Sequence, residues 1–157
     1  IRSAGCIQLA AVGNTHAVAL DASIKFGQLG LRSATFEVSE AAKAYALTLR
    51  PGDVFIAISN SGKSRRLLDT MSAARSAGAT CVVITGYPSS PLGSAADLVL
   101  QTVNPEALLT TGDFTFSKIS AILVVEVLYN FLLPEIDDAR EHISTYEELI
   151  GEDKDVE

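Results

Sequence analysis

Apolar residues gather in short unbroken runs, and most of these runs stop at a glycine or at a cluster of small polar residues. The first run, 6–12, has Gln8 as its one polar member and ends in Gly13-Asn14-Thr15. The run 54–59 is apolar up to Ser59 and leads into Asn60-Ser61-Gly62-Lys63-Ser64, and 81–85 leads into Gly86. Short runs of this kind, bounded by turn residues, predict buried strands. Two more strands are read at 33–38 and, more weakly, at 98–102. Between them the period lengthens. Val18, Ile24 and Leu29 recur among Ala17, Ala19 and Ala22, which predicts a helix over 16–29, capped by Asn14 or Thr15 and stopped near Gly30. The Ala- and Leu-rich stretch 40–49 predicts a second helix. A third runs from Ser64 to about Ala77 and closes at Gly78.

Alternating strands and helices with continuously apolar strands predict an α/β fold: a doubly wound, five-stranded parallel sheet with helices on both faces. Residues 119–133 are apolar almost all round. The stretch is short for a membrane span and carries Glu126. A helix of this kind needs cover on most sides. The sheet covers one side, and a second subunit is expected on another. The domain is read as 1–133, followed by an acidic and partly helical tail over 134–157 whose last residues fray.

With 157 residues, 48% of them hydrophobic and 20% charged, the chain has the composition of one folded domain. Its net charge of -7 disfavours contact with nucleic acid by this chain alone. Cys6 and Cys81 have no metal-binding or redox spacing and read as small buried thiols, which suits a reducing compartment. No basic segment followed by an apolar one opens the chain, so the cytoplasm is the expected location. The sequence begins with Ile1 rather than Met, which leaves open whether a segment precedes it.

In doubly wound sheets, ligands bind beyond the carboxyl ends of the strands. The third strand's loop carries the clearest chemistry there. Ser59, Ser61 and Ser64 surround Gly62 directly before a helix, where unpaired N–H groups and the positive end of the helix dipole attract a phosphate monoester. Gly62 lets backbone come close, and Lys63 adds a positive charge or points into solvent. A serine-rich helix cap without a ligand accounts for the same residues. Gly62-Lys63-Ser64 is not the end of a Walker A loop, because Ala57 stands where that motif needs glycine. Gly13 does not open a dinucleotide fingerprint, because Thr15 and Val18 replace its later glycines. No cofactor or metal site is read.

Val12-Gly13-Asn14-Thr15, Ile58-Ser59-Asn60-Ser61-Gly62-Lys63-Ser64, Gly78-Ala79-Thr80 and Val83-Ile84-Thr85 together resemble the SIS (sugar isomerase) domain family, with its flavodoxin-like sheet. The likeness continues through Ser90-Pro91-Leu92 and Ala95-Ala96-Asp97. Phe116-Ser117-Lys118-Ile119 with the apolar helix resembles the sugar-phosphate-binding domain of RpiR-type regulators in particular. The resemblance implies a phosphorylated sugar as ligand and a homodimer or tetramer. It implies phosphate or sugar contacts from Ser59, Asn60, Ser61, Gly62, Lys63 and Ser64, with Gly13, Asn14, Thr15 and Thr85 nearby. Thr15 stands where serine is commoner in the family, and it keeps the hydroxyl.

Two functions remain open on this reading. A sensor domain or stand-alone binder needs only the pocket. An aldose–ketose isomerase also needs a base beside the carbonyl. The candidates for that base are Glu106 and Asp113, before the last helix, Glu37 and Glu40 after the second strand, and His16. His142 reads as a surface residue of the tail. A purely structural dimerisation module would leave Ser59, Ser61 and Ser64 without a reason.

Overall fold

The structure is a computed structural model, and it describes residues 1–103 and 118–152. Five parallel strands form one sheet in the order β2-β1-β3-β4-β5: β1 Ile7–Ala10, β2 Ser33–Thr35, β3 Val54–Ile58, β4 Thr80–Thr85 and β5 Leu98–Gln101. The helices are α1 His16–Gln28, α2 Ser39–Ala46, α3 Arg65–Ser76, α4 Pro91–Ala95, α5 Ile119–Leu132 and α6 Ala139–Glu152.

The pleat of the central strands assigns alternate residues to two separate cores. Val54, Ile56 and Ile58 of β3, with Ile7 and Leu9 of β1 and Val82 and Ile84 of β4, face α1 and α5. Phe55 and Ala57, with Ala10, Cys81 and Val83, face α3 and the end of α2. Both faces of the sheet are therefore covered, which is why these strands read as continuous apolar runs. On α1, Val18, Ala19, Ala22 and Phe26 form the buried stripe, and Phe26 and Leu29 are fully enclosed. Each large side chain buried in this way contributes about 1.5–3 kcal/mol. Gln8 is the polar exception on β1, and its amide Nε2–H donates to the Ala42 carbonyl of α2 at 2.7 Å. The Cys81 thiol is enclosed, and burial pushes it up to about 11, so it stays neutral at ordinary pH.

Some boundaries differ from the sequence reading. β2 is only three residues long and half-buried, because it lies at the sheet's edge. α1 has no side-chain cap from Asn14 or Thr15. A 3-10 turn over Gly13–Thr15 leads straight into it, with the His16 N–H donating to the Gly13 carbonyl. Helical backbone thus begins before either side chain is in a capping position. α4 is an additional short helix, capped by Ser90 with Pro91 in its first turn. α6 packs back on the domain. Ala139 is fully buried in the α1/α5 core, with Ile136 and Ile143 against it. Among the described residues no single helix is long and apolar enough to cross a membrane.

Candidate functional site

The strand order reverses between β1 and β3: β2 lies beyond β1 on one side, and β4 and β5 lie beyond β3 on the other. A crevice opens at the carboxyl ends of the strands at such a switch point. Here it is bordered by the turn after β1 and by the loop from Ser59 to Ser64.

That second loop is held from within and from outside. The Gly62 N–H donates to Ser59 Oγ and to the Ser59 carbonyl, both at 3.2 Å. Ser64 caps α3 by accepting from the Leu67 N–H at 3.4 Å. The outer wall is the connection from β4 to α4. The Thr85 hydroxyl donates to the Asn60 carbonyl at 2.9 Å, the Gly86 N–H donates to the same oxygen at 3.1 Å, and the Leu92 N–H donates to the Gly62 carbonyl at 3.0 Å. Gly62 sits at φ +62°, and a Cβ there would collide with the Ser90 side chain and come within 3.2 Å of Thr85 Oγ1. Both the backbone conformation and the space demand glycine. Ser59, Thr85 and Ser90 are buried in this clasp, whereas Ser61 and Lys63 are exposed on its rim. Ser61 and Lys63 border a cleft of about 450 Å³, whose other walls are Gly86, Tyr87, Pro88, Ser89 and Ser90. A cleft of this size suits a small metabolite. The Ser61 hydroxyl and the Lys63 ammonium group border it four and two residues before α3 begins at Arg65, which suits an anionic group.

The model of the SIS domain family matches residues 1–130. The chain belongs to the SIS domain family. The glycine-centred serine loop of this SIS domain is among the motifs on which the sequence resemblance rested. It is 30% identical over 129 residues to an uncharacterized HTH-type transcriptional regulator of Caldanaerobacter subterraneus subsp. tengcongensis, matching 82% of this chain and 45% of that protein. Among solved structures, it resembles the Vibrio vulnificus NanR protein complexed with ManNAc-6P, with a TM-score of 0.85, 27% identity, and 96% of this chain and 56% of that one covered. It shares the fold of the sugar isomerase domain of an RpiR transcription factor from Sphaerobacter thermophilus, with a TM-score of 0.77, 21% identity, and 94% and 79% covered. The chain thus spans about half the length of the curated regulator and of NanR.

The other predicted site residues of the SIS domain lie around the same edge or away from it. Gly13 has φ +61° with nothing within 4 Å of where a Cβ would stand, so the shape of the turn calls for glycine and crowding does not. Asn14 is exposed, and Thr15 and His16 are half-buried. His16 Nδ1 is enclosed without a hydrogen-bond partner among the described residues. Glu37 is exposed. Glu40 is exposed in the first turn of α2 and borders a separate hollow of about 110 Å³ with Ser39, Lys43, Arg66 and Asp69. His142 is exposed on α6, with its ring against Gly30. Glu106 and Asp113 lie outside the described residues. Among the described residues no group of three or more His, Cys, Asp or Glu could hold a metal ion.

Sequence reasoning did not mark Tyr87, Pro88, Ser89 or Ser90 as site residues. The available signal was the Ser90-Pro91 pair, a cap followed by a first-turn proline, five residues after the end of β4.

Proposed function

We propose that this SIS domain binds a phosphorylated sugar in the cleft beside Ser61 and Lys63 and serves as the ligand-sensing domain of an RpiR-like regulator. The observation that carries the reading is the rigid Ser59–Ser64 loop. It leads directly into α3, and its exposed members, a hydroxyl and an ammonium group, border the cleft. The phosphate sits at the helix start, and the sugar extends along the wall of Tyr87 and Pro88. The likeness to NanR, whose structure holds ManNAc-6P, supports this ligand class. The likeness to an HTH-type regulator supports a sensing role, which needs a pocket and no catalytic base. In this role a separate module contacts DNA, and the acidic SIS domain does not. The free thiols Cys6 and Cys81 suit the cytoplasm.

Thermal-shift scans with hexose 6-phosphates and N-acetylmannosamine 6-phosphate, beside the same sugars without phosphate, test the proposal. A fitting sugar phosphate at about a hundred times its Kd adds about 2.7 kcal/mol, a rise of several degrees in Tm. The free sugars should leave Tm unchanged. Equal shifts from both sets, or none from either, would overturn the reading.

A further inference from the structure

A second cleft, of about 540 Å³, lies at the opposite, amino-terminal edge of the sheet, and its walls include Cys6, Arg32, Tyr45, Thr48, Arg50 and Asp53. Cys6 directly precedes β1, Arg32 precedes β2 and Asp53 precedes β3, so three adjacent strand starts frame it. The sugar-phosphate cleft lies at the other ends of these strands. Nothing in the proposed function uses this edge.

We propose that this amino-edge cleft binds a small anion with two oxyanion groups, phosphate or carboxylate, held between Arg32 and Arg50. The argument begins with charge. Arg2, Lys25, Lys43, Arg65 and Arg75 each have a carboxylate at 2.7–3.5 Å. Arg32 and Arg50 are exposed, and among the described residues neither guanidinium has a carboxylate within ion-pair distance. Lys63, Arg66, Lys118 and Arg140 also have no ion pair among the described residues, and Arg32 and Arg50 differ in lining one cleft together in a chain of net charge -7. Asp53 is the acid in the same cleft, and its Oδ2 is already occupied by the backbone N–H of Arg50 at 2.8 Å. It closes the turn over 50–53 and leaves the cleft with an excess of one positive charge.

The neutral groups fit the same ligand. The Tyr45 hydroxyl lies 3.1 Å from the Cys6 thiol. That hydrogen bond and then burial hold its pKa above the ordinary tyrosine value, although Arg32 pulls the other way. It remains a protonated donor. The guanidinium fork matches the two oxygens of a carboxylate or phosphate, and two forks on one cleft favour a ligand with two such groups.

Pyrophosphate and tricarballylate are suitable probes, the second because it carries no phosphate for the serine loop. Calorimetric titration should give saturable binding of both to the parent chain. Arg32→Ala with Arg50→Ala should weaken it at least about tenfold, which is about 1.4 kcal/mol, and leave sugar-phosphate binding unchanged. The two side chains are exposed, so melting curves should match the parent. Arg32→Lys with Arg50→Lys, which keeps charge and loses the fork, should fall between the two. Amide chemical shifts should move at Gly5, Cys6, Thr48 and Asp53. No saturable binding of either probe up to about 10 mM, equal binding by parent and double-Ala chains, or shifts confined to residues 59–64 would each overturn the proposal. None of these results depends on whether the carboxyl-edge cleft takes a sugar phosphate.

Discussion

Ser61 is exposed, and among the described residues its Oγ has only a long 3.4 Å contact with the Lys63 N–H, so the fold asks little of it. Ser61→Ala should change stability by no more than about 0.5 kcal/mol. The same change should weaken sugar-phosphate binding by about 1.5–3 kcal/mol, the worth of a hydrogen bond to a charged group. That is about ten- to a hundredfold in Kd by calorimetric titration. An unchanged Kd would mean that this loop does not hold the phosphate. Gly62→Val behaves differently, because its side chain would strike Ser90 from a left-handed backbone position. It should reduce both binding and melting temperature. The contrast shows which part of the site the sequence makes legible. Serines around a glycine before a helix are neighbours along the chain, and their chemistry reads directly. Ser90 and Tyr87 join them through hydrogen bonds between residues about 25 to 30 positions apart, from Thr85 and Gly86 to Asn60 and from Leu92 to Gly62. No local pattern announces that closure. His16 is on α1 as expected, but its enclosed Nδ1 depends on packing that periodicity does not carry.

Among the elements, the strands are legible where burial on both faces leaves a run of apolar residues, as in β1, β3 and β4. They are less so at the edges, where β2 and β5 are half-exposed and the pattern thins. α4 escapes because five residues are too few for a period, although a clamp behind it fixes how the chain enters β5. Asp97, just before β5, accepts from the Cys81 N–H at 2.7 Å and from Arg75 Nη1 at 3.0 Å, and its own N–H donates to the Cys81 carbonyl at 2.8 Å. This one residue ties β5 to β4 and to the end of α3. The Cys81 N–H lowers its carboxyl most, burial opposes this, and Arg75 adds to the lowering, so the group lies below the ordinary value of 3.8. A depressed value in the folded state means that ionised Asp97 adds stability above pH 3.8, and that this is lost as pH falls through the folded value. Asp97→Ala should therefore cost about 1 kcal/mol at neutral pH, since its half-exposed side chain lets water replace part of the interaction. In urea melts the gap between parent and variant should close as pH drops below about 4. A gap that stays constant down to pH 2, or that is absent at pH 7, would show that the carboxylate does not hold this corner.

For the whole molecule, the question is what covers α5. Val125 and Leu132 turn into the core, whereas Ile119 is 73%, Leu123 60%, Val127 44% and Phe131 73% exposed. These four recur every fourth residue and so form a single stripe along the helix. α1 packs beside α5, joined by the Lys25–Glu126 ion pair at 2.7 Å and by Lys25 over the Tyr129 ring, and it adds Leu20 and Ile24, each 48% exposed. α6 packs elsewhere on α1 and leaves the stripe open. Contiguous apolar area of this kind is rare on a lone domain and marks a surface of association. A second copy meeting the first about a two-fold axis would set stripe on stripe, burying the patch without needing a different partner. The resemblance to a family of dimers and tetramers implies the same. Sedimentation of the parent chain at micromolar concentration should give a dimer or a larger closed oligomer. Leu123→Glu with Phe131→Glu should give a monomer whose melting curve stays close to that of the parent, because both side chains already face solvent within one subunit. If the parent sediments as a clean monomer, another partner covers the stripe. If the double variant stays oligomeric, the subunits meet through another face.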